Sequence, residues 1–513
     1  MSLERLTFNT TRPLYSSAAT RRIEQAAAAA LPLHTLMQRA GLAVASLACE
    51  IAPQAKVIWL ACGPGNNGGD GLEAAMNLCA PGREIVVTWL GSEASCPADS
   101  LASFKRARDA GVRFSDSPPA QWDLAVDALL GIGIRPKLES ASRAPEAHET
   151  GMAKTTQWLA LMNESGKPVL HVDVPSGFSV DTGQWLNATE LIAARADSMP
   201  ANGRFPSKKY TLSLLTLKPG LFTAHGRDAC GQLWFDDLGI MQTELEPSAW
   251  LLGAQDMRMP QRLHASHKGS YGDVAVIGGA TGMQGAALLA ARAALHAGAG
   301  RVFVGLLGGG MVVDPLQPEL MFREPAALDF SAQTVVCGCG GGDQVRRALP
   351  RVLSTSQRLV LDADALNAIA VDASLQTLLR ARAKKNQPTI LTPHPLEAAR
   401  LLGDTTAQVQ ADRLQAAQRL AERFACTVIL KGSGSIIASP GAVPSINPTG
   451  DARLATAGTG DVLAGICGAF LAHSDHATLC AQRACWTHGA LVGDAATSSL
   501  LVASQLIERL SQR

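Results

Sequence analysis

Lys56-Val-Ile-Trp-Leu-Ala-Cys-Gly-Pro-Gly-Asn-Asn-Gly-Gly-Asp-Gly71 decides the fold class of this chain. Residues 56–61 are an apolar run of strand length, and residues 62–71 hold five glycines. With helix-like residues 72–78 next in the chain, the stretch predicts a strand, a glycine-rich loop and a helix. Glycine permits positive φ and close backbone approach, and a helix start offers free N–H groups to an anion. The loop therefore predicts a phosphate or pyrophosphate cradle. Its spacing is not the usual G-x-G-x-x-G fingerprint, because Asn66 and Asn67 fall inside it and it ends in Asp70. A glycine-rich turn with no ligand is the alternative reading.

Upstream, residues 26–30 and 37–41 predict two helical stretches, split by Leu31-Pro32 and ended by Gly41. Downstream, residues 84–90, 124–127 and 168–173 are further apolar runs ending at turns. Continuous rather than alternating apolar strands imply a parallel sheet covered on both faces. Ligands of such sheets sit beyond the carboxyl ends of the strands, where residues 66–71, Asp127 and Asp173 would fall. Polar or Pro/Gly/Lys-rich inserts at 139–157 and 198–209 read as surface loops. The pattern fades over 236–254 and restarts near His264. With 513 residues against about 150 per domain, two α/β domains are expected, 1–245 and 246–513.

Hydrophobic residues at 47% and charged ones at 17% provide for large cores and exclude a disordered chain. A net charge of +1, without basic runs interleaved with aromatics, predicts no nucleic-acid partner. No apolar stretch of about 18 residues predicts a membrane span, and the first 20 residues lack a secretory pattern. The 11 cysteines are an odd number at scattered spacing, so the expected setting is a reducing cytoplasm and the expected role of the close pairs, Cys337/Cys339 and Cys480/Cys485, is as small buried thiols. Folds of this kind often form homo-oligomers, and no residue counts subunits.

Asp127, in Val-Asp-Ala-Leu-Leu-Gly-Ile-Gly133, and Asp173, in Val-Asp-Val-Pro-Ser-Gly177, each close an apolar run. An unpaired buried carboxylate there would be costly, so each either caps the next turn or serves a ligand. With the Asn-Asn-Gly-Gly-Asp loop, these segments resemble the N-terminal domain of the YjeF family, the NAD(P)H-hydrate epimerases, from residue 37 to residue 221. The resemblance implies a Rossmann-like three-layer α/β/α domain. It also implies hydrated dinucleotide held by Asn66, Asn67, Gly68, Gly69, Asp70, by Gly131, Ile132, Gly133, Ile134, Arg135, Pro136, Lys137, and by Asp173. Potassium would be bound by Asn67, Asp127 and Ser176. Inversion at carbon 6 of the hydrated nicotinamide passes through a cationic species, and Asp173 is the candidate to stabilise it and move the proton.

The second half opens with His267-Lys-Gly-Ser-Tyr-Gly-Asp-Val-Ala-Val-Ile-Gly-Gly-Ala-Thr-Gly282 and an Ala-rich helix, where small residues serve either a ligand or helix packing. Residues 359–367, 389–397 and 427–435 are β-rich runs ending in polar groups, and Thr456-Ala-Gly-Thr-Gly-Asp461 sets a glycine turn and an Asp at a helix start. N–H groups and a helix dipole for phosphate, with a carboxylate to take a hydroxyl proton, are what phosphoryl transfer needs; a capping Asp is the bland alternative. Gly-Thr-Gly-Asp461 resembles the anion-hole motif of ribokinase-like kinases. The whole set resembles the ADP/ATP-dependent NAD(P)H-hydrate dehydratases, which share that α/β fold. By that likeness Lys431, Gly432, Ser433, Gly434, Ser435 and Gly460 contact the adenine nucleotide, and Ala286, Gly340, His394 and Asp461 contact the hydrate. Magnesium accompanies ADP or ATP, with Glu397 as its one nameable candidate ligand. Gly340 sits in Cys337-Gly-Cys-Gly-Gly-Gly342, which lacks the proline and leucine usual in that family. The sequence thus predicts a bifunctional epimerase and dehydratase; the rivals are a small-molecule kinase with a regulatory front domain, and a chain whose first half only binds.

Overall fold

A computed structural model of the chain describes residues 3–133, 145–186, 208–240, 244–258, 262–493 and 500–512, with backbone alone for 145–151. Two compact units result, Met1–Thr7 with Pro13–Ser248, and Phe8–Arg12 with Ala249–Arg513. The sequence pattern assigns every residue before 245 to the first half; Phe8–Arg12 depart from it, because Phe8 and Asn9 carbonyls accept from Ala254 and Gln255 N–H at 2.8 and 2.9 Å.

In the first unit, eight described strands form one sheet in the order Glu4–Arg5, Gln232–Asp236, Lys209–Leu214, Val169–Val172, Leu124–Ala128, Val57–Cys62, Glu84–Trp89, Arg113–Phe114. All neighbours are parallel except the first pair. The continuous apolar runs result from burial on both faces. In Val57–Cys62, Ile58, Leu60 and Cys62 join a core with helices Thr35–Ile51 and Asn66–Leu78, while Trp59 and Ala61 join Trp158, Leu159 and Met162 of helix Pro145–Glu164 on the other side. That last helix corrects the reading of 139–157 as a surface loop: Trp158, Leu159 and Met162 recur at helical spacing and are at most 3% exposed, so the polar start hides an apolar stripe. Residues 134–144 and 187–207, which hold the remainder of both inserts, lie outside the described residues apart from Lys208 and the opening of Lys209–Leu214.

Two glycine expectations are also corrected. The helix after Val57–Cys62 begins at Asn66, not Leu72, so Asn67 to Gly71 form its first turns, and none of Gly63, Gly65, Gly68, Gly69 and Gly71 takes a positive φ. They allow close packing instead: a Cβ on Gly68 would sit 2.0 Å from the Gly63 carbonyl oxygen, and one on Gly69 2.6 Å from Met37 Sδ. Gly41 does not end its helix, which runs Thr35–Ile51; its Cβ would lie 2.2 Å from Glu73 Cβ where two helices touch. Gly68→Ala is accordingly expected to cost about 1–3 kcal/mol by overpacking. Gly133→Ala, whose Cβ meets nothing within 4 Å, is expected to stay within about 0.5 kcal/mol; denaturant midpoints of both variants check the contrast.

The second unit's sheet runs from Met321–Phe322 through Arg301–Leu306, Asp273–Gly278, Thr334–Cys337, Arg358–Leu361, Thr389–Leu391, Thr427–Leu430, Ile436–Ala438 and Ser445–Ile446 to Ala249–Leu251. It is parallel as far as Thr427–Leu430, turns back through two antiparallel pairs, and ends in the parallel pairing of Ala249–Leu251 with Ser445–Ile446 among these strands. Helices Gln284–His296 and Thr459–Leu471 pack against each other. A Cβ on Gly465 would meet the Ala290 carbonyl oxygen at 2.1 Å, so the small residues here serve close helix approach.

Candidate active sites

Four strands of the first unit deliver polar groups to one edge, around a cavity of about 1780 Å³. Sites for drug-sized ligands are about 300–1,000 Å³, so this one admits a longer guest. Arg21, Glu24, Asn66, Asn67, Asp70, Gly131, Ile132, Gly133 and Asp173 line it. Arg21 reaches from helix Ser17–Ala30 to the Ile132 carbonyl at 2.8 Å and ties the 131–133 turn down. Gly68 and Gly69 do not line the cavity. The Gly69 N–H is bonded to the Gly65 carbonyl at 3.1 Å and is not free for an anion, which corrects the glycine cradle at Gly69. Ile134, Arg135, Pro136 and Lys137 lie outside the described residues.

Asp173 comes directly after strand Val169–Val172 with φ of +64°, a conformation that costs an ordinary residue and persists where surroundings enforce it. Here they do. Oδ1 accepts from Leu214 N–H at 3.0 Å and pairs with Lys218 Nζ. Lys218, itself fully buried, also donates to the Leu214 carbonyl at 2.8 Å and Ser213 Oγ at 3.3 Å. Among the described residues Oδ2 accepts no hydrogen bond, and Asp173 faces the cavity. Burial first, then the charges of Asp173, Glu24 and Glu73, push the Asp70 carboxyl well above the ordinary range. Burial and Asp173 likewise raise Glu24. One carboxylate paired with lysine beside two whose carboxyls are raised is an acid–base arrangement. Lys218 and Glu24 are not singled out by the sequence pattern; Lys218 lies in Leu217-Lys-Pro-Gly-Leu221, and a lysine in an otherwise apolar stretch is the signal that could have found it.

Asp127 has a different character. Fully buried in its strand, it accepts from His171 Nδ1 at 2.8 Å and Ser176 N–H at 3.0 Å on one oxygen, and from Ser176 Oγ at 2.6 Å and Leu129 N–H at 3.3 Å on the other. Burial alone would raise its carboxyl; the His171 bond and charge and the Ser176 donors outweigh it and hold it low. Ser176 Oγ in turn accepts from Leu130 N–H at 2.8 Å. Asn67 lies beside Gly131, and its buried Nδ2 has no partner among the described residues. Asp127 and Ser176 are bonded to each other and their oxygens are of the kind a hard cation takes, but both Asp127 oxygens are already engaged by four hydrogen bonds.

In the second unit Asp461 stands in the first turn of helix Thr459–Leu471, after Gly458, whose φ is +87°. Burial, then the Asp362 charge, raises its carboxyl to about 7. Asp362, 2% exposed, accepts from Lys431 Nζ and Thr392 Oγ1, both at 2.8 Å. Lys431 Nζ is also 4.0 Å from Glu397 Oε2 and 3.3 Å from where a Gly460 Cβ would be. Lys431 and Gly460, far apart in sequence, therefore lie side by side. Gly432, φ +140°, lies on the buried Arg413 guanidinium, which donates to the Leu430 and Lys431 carbonyls at 3.3 and 3.2 Å. Ser435 Oγ donates to the Gly432 carbonyl at 3.1 Å, folding 432–435 into a turn beside Ser433 and Gly434. Ala286 abuts Gly340, whose φ of +57° and 2.5 Å clearance to the Met283 carbonyl both require glycine.

His394 is a helix cap: Nδ1 accepts from Leu396 and Glu397 N–H at 3.1 and 3.4 Å, and Nε2 lies 3.2 Å from Glu397 Oε1. Glu397 completes the box by accepting from His394 N–H at 2.8 Å. Burial raises its carboxyl to about 7 despite Lys431. That corrects Glu397 as a magnesium ligand, since its oxygens face its own helix turn and Lys431. The neighbouring Cys339, Asp362 and Asp461 lie within 4.8 Å of one another. A buried thiol and a lysine-paired carboxylate do not suit magnesium, which takes oxygens and keeps its waters. Asp362 and Cys339 are the groups sequence reasoning missed here.

Two parallel α/β units, each with a carboxylate–lysine arrangement at the carboxyl edge of its sheet, define a two-site enzyme of the nucleotide-handling α/β class. The family profile of the YjeF-related protein N-terminus matches residues 33–220, and that of NAD(P)H-hydrate dehydratase matches 274–513. The bifunctional NAD(P)H-hydrate repair enzyme of Escherichia coli is 35% identical over 485 residues, covering 90% of this chain and 85% of that protein. The ADP-dependent (S)-NAD(P)H-hydrate dehydratase of Neisseria meningitidis is 44% identical over 237 residues, 45% of this chain and 79% of that one. A Bacillus subtilis ADP/ATP-dependent NAD(P)H-hydrate dehydratase co-crystallised with ATP and magnesium is 29% identical at a TM-score of 0.43, over 50% of this chain and 94% of that one. The chain belongs to the family of bifunctional NAD(P)H-hydrate repair enzymes. No described helix is long and apolar enough to cross a membrane.

Proposed function

We propose that the two sheet edges act in succession on hydrated NAD(P)H. The first unit exchanges the R and S hydrates, and the second removes water from the S hydrate at the expense of ADP or ATP. The observation that carries the reading is a carboxylate cluster at the carboxyl edge of each sheet: Asp173 bonded to Lys218 and facing the cavity in the first unit, and Asp461 within 4.8 Å of the Lys431-bonded Asp362 in the second.

In the first site, Asp173 stabilises positive charge on the ring and exchanges a proton with the carbon 6 oxygen, while Asp70 and Glu24, whose carboxyls burial raises, stand beside it. Asn66, Asn67 and the 131–133 turn hold the substrate. Potassium, when bound, would be held by the oxygens of Asn67, Asp127 and Ser176 and would supply fixed positive charge there. In the second site, Asp461 takes the carbon 6 hydroxyl proton as that oxygen accepts the terminal phosphoryl group. Lys431 and the N–H groups of 458–460 balance the phosphate charge. The carbon 6–oxygen bond then breaks with phosphate leaving, a ring proton is lost, and NAD(P)H is restored. Magnesium is expected with the nucleotide itself, and no step passes through it. The setting is a reducing cytoplasm, and self-association is expected.

Absorbance of reduced nicotinamide tests the whole reading, with both hydrate epimers, magnesium, potassium, and ADP or ATP supplied separately. Complete conversion is expected. Conversion stopping at one epimer would remove the epimerase, and a stable phosphorylated product would favour the kinase alternative. The pH profile is a sharper test: a base must be unprotonated, and the Asp461 carboxyl sits at about 7. Dehydration kcat/KM is therefore expected to fall about tenfold per pH unit below that point. A flat profile from pH 7 to 5 would exclude Asp461.

A further inference from the structure

The glycine loop 337–342 places a thiol at the centre of the second site. Cys339 lies between Gly338, φ +124°, and Gly340, φ +57°, just beyond strand Thr334–Cys337. Its side chain is fully buried. Sγ is 4.0 Å from Asp362 Oδ2, and Sγ, an Asp362 oxygen and an Asp461 oxygen all lie within 4.8 Å of one another. Two carboxyls this near repel when both are charged, and Lys431 is bonded to only one of them, Asp362 Oδ1.

We propose that Cys339 is a positioning residue for dehydration: its thiol fills the space between Asp362 and Asp461 and donates its proton to that pair, so that Asp461 can lose its own proton at neutral pH. This rests on Asp461 being the base. Every group facing Asp461 is consistent with the role. Asp362 and Asp364, at the start of helix Ala363–Ala370, disfavour its charge. Lys431, just after Thr427–Leu430, favours it, and so does the Cys339 thiol within 4.8 Å. Glu397 acts on Lys431, and the Lys431 charge in turn lowers His394 and His488. The thiol stays protonated among these carboxylates, since burial and the charges of Asp461 and Asp362 push it far above its ordinary value. A neutral donor is the one partner that relieves the repulsion without adding charge.

The test compares the acid limb of kcat/KM for dehydration in wild type, Cys339→Ala and Cys339→Ser, each first checked for a native denaturation midpoint. Removing the donor should move the limb up by about one pH unit, because an unrelieved neighbouring carboxylate raises a carboxyl. Serine, which keeps a donor, should return it to within about 0.3 of wild type. A limb unmoved in Cys339→Ala, whatever its rate, would reduce Cys339 to packing and overturn the proposal. Equal displacement in both variants would overturn the donor role. A wild-type profile with no limb near neutrality would instead remove Asp461 as base, and this proposal with it.

Discussion

Asp461→Asn lowers nucleotide-dependent recovery of NAD(P)H by about a thousandfold while leaving epimer exchange intact. General-base catalysis contributes about 10²–10⁴ in rate, and an amide can neither take the proton nor carry the charge. The site gives reason to expect a value well inside that range. Asp461 is held in the first turn of a helix whose residues from Val462 to Leu471 are all buried, so its backbone has no freedom to let another group take over. The fold should survive, because the native carboxyl is already raised to about 7 by burial and Asp362, and a neutral isostere removes that repulsion. Unchanged or higher stability together with lost turnover is thus the expected pair of results. Turnover within tenfold of wild type would show that another group accepts the proton.

Asp173→Asn is expected to cut epimer exchange by about 10²–10³, measured as the rate at which the R hydrate becomes available to the second unit. Here stability moves the other way. Lys218 is fully buried and pairs with Asp173 Oδ1, and removing one partner of a buried pair costs about 3–5 kcal/mol. Dehydration of pure S hydrate by the same preparation separates the two effects: it should persist, since Asp461 and Lys431 belong to the other unit. A paired variant, Asp173→Asn with Lys218→Met, removes the orphaned cation and should regain stability without regaining exchange. Full exchange in either variant would assign the proton to Asp70 or Glu24.

The sheet edges and their acidic groups were legible because a strand buried on both faces must read as a short apolar run, and the residues just past its end must be polar or glycine. Val57–Cys62, Leu124–Ala128 and Val169–Val172 fall where those runs end. Less legible was the purpose of the glycines. Gly41, Gly68, Gly69 and Gly71 read as turn formers, but they sit inside helices and clear space for Glu73, Gly63, Met37 and Ala128. A glycine needed for a turn and one needed for a crossing look identical in one dimension. The helix Pro145–Glu164 was hidden by its polar first half.

What the sequence by itself determined is the order of strands, turns and helices, the two-part organisation, and which carboxylates end the runs. All are set by local patterns of apolar and glycine residues. Tertiary structure alone decided what those carboxylates can do. Lys218 reaches Asp173 across 45 positions, Lys431 reaches Asp362 across 69, and Cys339 meets Asp362 across 23. The protonation and reach of a buried carboxyl depend on charges a few ångströms away, and only folding brings those partners within that distance.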